Sequence, residues 1–231
     1  MDISRVEQAQ DKRYRVPPWV QWRRSALRGT FRQIFHTLCK IEINGRENIP
    51  ANGAYIIAHN HISLFEPPLV LAFWPQIPEA IAGADVFERP VQKFFVRAYK
   101  AIPVHRGEYD RKVIEVMLDV LDAGKPLMIA PEGGRSHVTA LRKAQAGVAY
   151  LVDRAKVPVL PVGISGTTED MLRRALRAKR PKLVMNIGEP FLLPAIEGRG
   201  EQRRAARQRN ADRVMERIAA LIPQDYRGYY A

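Results

Sequence analysis

The sequence has few of the features that mark secreted or membrane-spanning proteins. It contains one cysteine among 231 residues, so no intramolecular disulfide is possible, which is typical of a reducing compartment. No stretch approaches the roughly 18 uninterrupted apolar residues of a transmembrane helix, and the first residues do not have the pattern of a signal peptide. We therefore expect a protein that is free in solution or lies on a membrane surface.

Acidic residues are also scarce. Lys and Arg number 37 against 24 Asp and Glu, which gives a formal net charge of +13 and predicts a polyanionic partner: phosphate groups, anionic lipid or nucleic acid. The chain has no internal repeat and no low-complexity linker, which favours a single folded domain. We assign this domain to residues 41–231, and residues 1–40 to a tail and an amphipathic helical arm.

Two titratable residues follow the short apolar run of residues 55–58, which has the length and β-branched content of a buried strand. His61 and Glu66 are five residues apart, a separation at which helical side chains point in different directions. Pro67 disfavours the helical conformation at Glu66. We therefore predict a non-helical turn with an extended Glu66, whose carboxylate holds Nδ1–H of His61 and leaves Nε2 as a general base.

No nucleophile accompanies this histidine. Residues 163–166 lack the spacing of a nucleophile elbow, and Cys39 lies in a basic amphipathic segment far from His61 in sequence. The remaining chemistry is direct: His61 deprotonates a hydroxyl of one substrate, and that hydroxyl attacks an acyl group of another without a covalent enzyme intermediate. The alternative is that His61 is a surface or capping histidine and Glu66 a solvated turn residue.

Residues 17–38 form an amphipathic pattern with tryptophans at its start and arginines between apolar positions. The apolar positions are Leu27, Phe31, Ile34, Phe35 and Leu38; the tryptophans are Trp19 and Trp22; the arginines are Arg23, Arg24, Arg28 and Arg32. Tryptophan and arginine together on an amphipathic helix suit a membrane interface. The alternative is a helix packed on its own domain with a solvated arginine face.

Strand-like and helix-like segments alternate along the remaining chain. The predicted strands are residues 41–43, 127–130, 159–164 and 183–188, with a short extended segment within residues 101–107. The predicted helices are residues 90–99, 110–123, 144–154 and 202–221, and the strongly basic residues 171–182 are either a solvated helix or part of a surface that meets phosphate head groups. This alternation predicts an α/β fold with a mostly parallel central sheet flanked by helices. Arg106 lies at the end of the short extended segment, and Arg135 lies in a glycine-containing turn from which its planar guanidinium could reach an anion.

Four segments, in this order and spacing, resemble the motifs of the glycerolipid acyltransferase family, whose best-known members are lysophosphatidate acyltransferases of the PlsC type. Residues 60–66 resemble the motif Asn-His, four residues, Asp, with glutamate in the last place. Residues 102–106 match Ile-x-Val-x-Arg. Residues 130–136 resemble Phe-Pro-Glu-Gly-Thr-Arg-Ser, and residues 157–162 resemble Val-Pro-Val-x-Pro-Val. The resemblance runs from about residue 41 to the end of the chain.

The resemblance implies a peripheral membrane enzyme that moves a fatty acyl group from a thioester to a lysophospholipid hydroxyl, with 1-acyl-glycerol-3-phosphate as the favoured acceptor. The donor would be acyl-CoA or acyl carrier protein, acting as a substrate, with no metal or cofactor. The implied place of action is an anionic lipid surface on the cytoplasmic face. The implied catalytic residues are His61 and Glu66, and the implied acceptor-binding residues are Arg106, Glu132, Gly133 and Arg135.

The chain departs from the family pattern at several positions near the acceptor. Gly134 replaces threonine, Ala130 replaces an aromatic residue, and residues 82–85 lack a lysine that phosphatidate-forming members often have there. Another lysolipid or a glycolipid hydroxyl therefore stays open as the acceptor.

Three other hypotheses stay open at this point. A metal site could use His59, His61 and Glu66. A catalytically silent protein could bind the membrane surface alone. A nucleic-acid-binding protein would explain the positive charge, but no recognised nucleic-acid motif supports it, and we predict no nucleic-acid partner.

Overall fold

A computed structural model of the chain describes residues 14–107, 110–136, 138–168 and 170–231. The strands are β1 (Lys40–Asn44), β2 (Ile56–His59), β3 (Glu79–Gly83), β4 (Ile102–Val104), β5 (Leu127–Ile129), β6 (Val159–Ser165) and β7 (Lys182–Ile187). The helices are α1 (Pro18–Leu38), α2 (Glu66–Phe73), α3 (Pro90–Tyr99), α4 (Arg111–Asp122), α5 (Gly147–Ala155), α6 (Met171–Leu176) and α7 (Gly200–Ala219). Short 3₁₀ turns lie at Arg46–Asn48, Ala84–Glu88, Gln224–Tyr226 and Gly228–Tyr230.

The strands form one sheet in the order β1-β7-β6-β2-β5-β3-β4. Neighbouring strands run parallel except β6 and β7, which are antiparallel. The central strands β2, β5 and β6 are buried along their whole length, which explains their continuous apolar sequences. The predicted α/β fold with a mostly parallel sheet is confirmed.

The sheet separates two hydrophobic cores. Ile57 points to the face covered by α1, α2 and α6, while its neighbours Ile56 and Ala58 point to the face covered by α4, α5 and α7. Successive strand residues face opposite sides, so one buried strand supplies both cores. This arrangement leaves the strand ends, rather than the sheet faces, available for a functional site.

Two of the four arginines of α1, Arg24 and Arg28, are buried, which contradicts the prediction that this side of the helix meets lipid or solvent. Arg28 is buried and donates through Nε to the carbonyl of Leu71 at 2.6 Å and through a terminal nitrogen to the carbonyl of Trp74. Arg32 donates to the carbonyl of Ala72 at 2.8 and 3.0 Å. These carbonyls end α2, where no further helical turn supplies donors. The arginines therefore cap α2.

Arg24 is buried as well, and it forms a bidentate ion pair with Glu79 of β3 at 2.6 and 2.7 Å. Its Nε donates to the carbonyl of Tyr99 at 2.7 Å, and the hydroxyl of Tyr14 donates to Glu79 at 2.7 Å. The described part of the predicted arm thus packs against the domain, while residues 1–13 lie outside the described residues. Within the described part of the chain, no helix has both the length and the apolar content needed to cross a bilayer.

Candidate active site

Polar side chains follow the carboxyl ends of five strands that run in the same direction. His61 lies two residues after β2, Asp85 two after β3, Arg106 two after β4, Glu132 three after β5 and Thr167 two after β6. The carboxyl ends of parallel strands meet at one edge of a sheet, which is where α/β proteins bind their ligands. The fold therefore brings the predicted residues His61, Arg106 and Glu132 to the same edge.

His61 and Glu66 form the predicted pair, with Nδ1 of the histidine 3.1 Å from Oε2 of the glutamate. The Glu66 side chain is fully buried, while that of His61 is 15 % exposed. Because an ionised carboxylate can only accept hydrogen bonds, Nδ1 carries the proton. The other ring nitrogen, Nε2, is then the one that can take a proton from a substrate.

The turn that joins the two residues differs from the predicted one. Residues 62–65 form the bends, and Glu66 is the first residue of α2 rather than an extended residue. Pro67 and Pro68 lie in the first turn of the helix, where a missing N–H breaks no helical hydrogen bond. The prolines therefore start a helix at Glu66, and the prediction of an extended Glu66 is wrong.

Glu66 is held by donors from two other residues. Ser63 donates its backbone N–H to both carboxylate oxygens at 2.9 and 3.0 Å and its hydroxyl to Oε1 at 2.8 Å. The hydroxyl of Thr167 donates to Oε1 at 2.5 Å. Burial raises the pKa of Glu66, but the hydrogen bonds from His61, Thr167 and Ser63 outweigh it and lower the pKa below its ordinary value. Glu66 is thus ionised beside His61.

Glu132 holds the main chain of His61 and does not face outward. The Glu132 side chain is buried, and its two oxygens accept the backbone N–H groups of His61 at 2.8 Å and of Arg142 at 2.9 Å. The N–H of Ser136 donates to the carbonyl of His61 at 2.8 Å. Burial raises the pKa of Glu132 to about 7, against the effect of the Arg142 and His61 N–H groups. These contacts give Glu132 a positioning role for His61, and its contact with the acceptor stays a prediction.

The loop after Glu132 depends on a glycine. Gly133 has a φ of +70°, and a Cβ there would lie 2.7 Å from Cγ of Gln145, so a larger residue would be strained and crowded. Arg135 lies half-buried farther along the loop, and its carbonyl accepts a hydrogen bond from Arg142 at 3.2 Å. Gly133 therefore shapes the loop that presents Arg135.

The guanidinium of Arg106 lies across the ends of two strands. A Cβ on Gly83, the last residue of β3, would lie 2.6 Å from Cζ of Arg106, and a Cβ on Gly134 would lie 3.5 Å from its Nε. The guanidinium is thus beside the same loop that fixes His61. It is 42 % exposed and forms an ion pair of 3.0 Å with Asp85, which also binds Arg89 at 2.7 Å.

The residues just before His61 are structural. Asn60 cross-links the end of β2 to β6, since its amide accepts from the N–H of Ile164 at 2.7 Å and donates to the carbonyl of Ile164 at 2.9 Å. His59 is buried, and burial together with the charge of His61 lowers the pKa of His59 to about 4, so its ring is neutral. Among the described residues, no group of three or more His, Cys, Asp or Glu side chains could hold a metal ion.

Three residues of this site were not identified from the sequence: Ser63, Asp85 and Thr167. Asp85 and Thr167 lie two residues beyond strand ends, as His61 and Arg106 do, so this position relative to a strand is the signal that could have found them. Asp85 could not be found in this way because β3 itself was not predicted. For Thr167, the predicted β6 ended one residue early.

Comparisons with known proteins identify the family and the fold. The Acyltransferase family model matches residues 40–165, which is more than half of the chain and includes β1 to β6. The crystal structure of the 1-acyl-sn-glycerophosphate (LPA) acyltransferase PlsC from Thermotoga maritima is similar, with a TM-score of 0.61 and 20 % sequence identity over 92 % of this chain and 87 % of that chain. At this identity, the likeness to that structure concerns the fold.

Proposed function

The chain belongs to the Acyltransferase family, and from this premise we propose that it transfers a fatty acyl group from a thioester to the free hydroxyl of a lysophospholipid. The single observation that carries the proposal is the contact of 3.1 Å between Nδ1 of His61 and the ionised, buried Glu66. The donor is acyl-CoA or acyl carrier protein. The acceptor that the resemblance favours is 1-acyl-glycerol-3-phosphate, with another lysolipid or a glycolipid as the alternative.

The reaction proceeds by direct attack. Nε2 of His61 takes the proton of the acceptor hydroxyl while its oxygen attacks the thioester carbonyl. The tetrahedral intermediate then collapses, the carbon–sulfur bond breaks, and the imidazolium returns the proton to the leaving thiolate, so that an ester and a free thiol are formed. Glu66 stabilises the imidazolium between these steps. General base catalysis of this kind contributes roughly 10²–10⁴-fold to a rate.

The acceptor head group is placed by cations from two loops. Arg106 lies beside the loop of residues 131–136, and Arg135 belongs to that loop. A planar guanidinium can bind a phosphate through two parallel hydrogen bonds, which fixes the orientation of the ligand as well as its distance. Glu132 and Gly133 support this arrangement by fixing the loop and the main chain of His61.

The membrane contact that we propose is the outer side of α1 and α3. Trp19 and Trp22 of α1 and Val91 and Phe94 of α3 are strongly exposed, with Trp22 reaching 74 %. The two helices are adjacent, since the Phe31 and Phe95 rings lie 5.3 Å apart and Arg23 donates to the carbonyl of Arg97 at 3.2 Å.

Exposed aromatic side chains on a protein of net charge +13 suit an anionic lipid surface. The protein would then act as a peripheral enzyme on the cytoplasmic face of the membrane, where its lipid acceptor is found. In the following, the "aromatic face" denotes Trp19, Trp22, Val91 and Phe94.

The proposal is tested by offering the protein a long-chain acyl-CoA, or an acyl carrier protein, with a panel of lysolipids that includes lysophosphatidate. Product should form with the wild type and be lost in His61→Ala, while His36→Ala, which removes an exposed histidine of α1, should keep full activity. If the wild type transfers nothing from either donor to any acceptor while it still binds anionic vesicles, the catalytic proposal fails. A non-catalytic membrane-surface role would then take its place.

A further inference from the structure

We propose that Asp85 determines the acceptor specificity of this site, because it lowers the positive charge that Arg106 and Arg89 present beside the His61 loop. Asp85 would shift the site away from phosphate monoesters and toward phosphodiesters, which carry a single negative charge. The inference rests on the proposed acyl transfer and concerns the acceptor of that same site.

The carboxylate of Asp85 lies between two guanidinium groups. Oδ1 is 3.0 Å from Arg106, and Oδ2 is 2.7 Å from Arg89. All three side chains are between 42 and 48 % exposed, so a ligand can approach them from solvent. Arg106, which would otherwise offer a full positive charge to a phosphate, is already paired with an anion.

The ends of β3 and β4 place Asp85 and Arg106 beside each other. A Cβ on Gly83 would lie 2.5 Å from Oδ1 of Asp85 and 2.6 Å from the guanidinium of Arg106, so the glycine leaves the space in which the two side chains meet. Asp85 and Arg106 each lie two residues beyond neighbouring parallel strands, β3 and β4. Both side chains therefore project at the edge where His61 lies, and Arg106 reaches the loop of residue 134.

The charge of a head group decides how it meets this pair. The second ionisation of a phosphate monoester has a pKa of about 6, so near neutral pH it carries close to two negative charges. Such a group gains from Arg106 but is repelled by the carboxylate beside it. A phosphodiester carries a single negative charge, so it can still bind Arg106 but is repelled less by Asp85.

Solvent limits the effect of the Asp85 charge on the selectivity between head groups. The groups are half-exposed, so water and salt reduce the repulsion, and Asp85 should change the selectivity between head groups by about tenfold rather than abolish the use of either. A change in the ratio of two acceptors is the appropriate measurement, because damage to folding or to His61 lowers the activity with both acceptors alike.

The test compares kcat/KM for lysophosphatidate and lysophosphatidylethanolamine with the same acyl chain. Asp85→Asn should raise the ratio of lysophosphatidate to lysophosphatidylethanolamine by about tenfold, and Asp85→Lys should raise it further. Glu88→Gln removes the same charge from the same exposed turn without changing the Asp85–Arg106 pair, and it should leave the ratio unchanged.

The outcomes separate the two proposals. If the wild type acylates a lysolipid and the ratio is the same in the wild type, Asp85→Asn and Asp85→Lys, Asp85 does not determine specificity and this inference is overturned. If Glu88→Gln shifts the ratio as much as Asp85→Asn, the effect is one of general surface charge, and the inference is also overturned. If the wild type transfers no acyl group to any acceptor, the proposed function itself fails.

Discussion

Glu66 keeps its negative charge although its side chain is fully buried. An isolated buried carboxylate would be neutral, because burial disfavours the charged form. Here the N–H and hydroxyl of Ser63, the hydroxyl of Thr167 and Nδ1 of His61 all donate to it, and together they outweigh burial. The charge that is needed to stabilise a protonated His61 is therefore supported by donors from three residues, two in the turn before α2 and one beyond β6.

Replacing Thr167 by valine removes one of these donors at nearly constant volume. We expect Thr167→Val to raise the pKa of Glu66 and to lower kcat by about tenfold, as the loss of a hydrogen bond to a charged group predicts. The acidic limb of the pH–rate profile should move to higher pH, and Thr167→Ser, which keeps the hydroxyl, should behave as the wild type. Steady-state kinetics across pH would check this. A wild-type profile in Thr167→Val would mean that the contact with Glu66 has no catalytic consequence.

The raised pKa of Glu132 predicts how the free energy of unfolding changes with pH. Burial raises the pKa of Glu132 from its ordinary value of 4.5 to about 7, so between these pH values the folded protein holds a proton that the unfolded protein has lost. The contribution of Glu132 to the free energy of unfolding is therefore present below pH 4.5 and is lost as the pH rises through about 7. In Glu132→Gln this titration is absent, so the difference in stability between the wild type and the variant should shrink over this window.

At pH 4.5 and below, Glu132→Gln should be less stable than the wild type by about 1–3 kcal/mol, because an amide has one acceptor oxygen for two backbone N–H groups and its nitrogen would face a donor. Urea denaturation at several pH values measures both effects, with the exposed Glu88→Gln as the control. A stability difference that stays constant from pH 4.5 to pH 7 would show that Glu132 does not titrate in this range.

The sequence predicts the contacts of this site only where they are local. His61 and Glu66 are five residues apart, so the chemistry of a histidine and a carboxylate sufficed to predict their pairing. Thr167 and Glu132 lie 101 residues from Glu66 and 71 residues from His61, and no pattern of apolar and polar residues specifies those contacts. They arise from the order of the strands in the sheet.

At the scale of elements, α1 stabilises the site from the opposite end of α2. Arg28 and Arg32 satisfy carbonyls at the end of α2, and Glu66 begins that helix beside His61. Arg24 connects α1 to β3 through Glu79. The position of Glu66 therefore depends on contacts that α1 makes with residues 71–74, at the other end of α2.

The buried pair of Arg24 and Glu79 gives a test of this role. Arg24→Met should reduce the free energy of unfolding by about 3–5 kcal/mol, since it leaves the Glu79 carboxylate buried with the Tyr14 hydroxyl as its remaining side-chain donor among the described residues. The double variant Arg24→Met/Glu79→Gln should recover part of the loss, because no unpaired charge remains. Arg32→Met, from the exposed end of the arginine row, should cost about 1 kcal/mol. Equal losses from Arg24→Met and Arg32→Met in denaturant titrations would contradict this account.

Element types were easier to predict than their surroundings. The helix at residues 18–38 follows from its apolar spacing, yet that spacing does not reveal that guanidinium groups reach carbonyls of α2 and lie inward. β3 was missed because Glu79–Gly83 has few β-branched residues and a charged first residue. That charge is explained by Arg24, which is 55 residues away, and by Tyr14, which is 65 residues away.

At the scale of the whole molecule, positive charge and exposed aromatic side chains together support attachment to an anionic lipid surface. The double variant Trp22→Ala/Phe94→Ala removes one ring from each helix of the aromatic face, and we expect it to lower partitioning onto anionic vesicles by about tenfold or more. Raising the salt concentration should weaken wild-type binding further, since charge contributes. Vesicle co-sedimentation measures both.

A matched control for this measurement is Leu176→Ala, which removes an equally exposed apolar side chain from α6. It should bind vesicles as the wild type does. If Leu176→Ala loses as much binding as the double variant, or if the double variant loses none, the aromatic face is not the membrane contact.

The central claim is that His61 and Glu66 drive direct transfer between two bound substrates. A rapid-quench single turnover, with the enzyme in excess over radiolabelled acyl-CoA, follows the label through CoA, protein and lipid. The account predicts that the label moves from CoA to the lysolipid without becoming bound to protein, that it stays on CoA when no acceptor is present, and that His61→Ala stops the transfer. Label that becomes covalently bound to the protein, or a His61→Ala variant that turns over at the wild-type rate, would contradict the account.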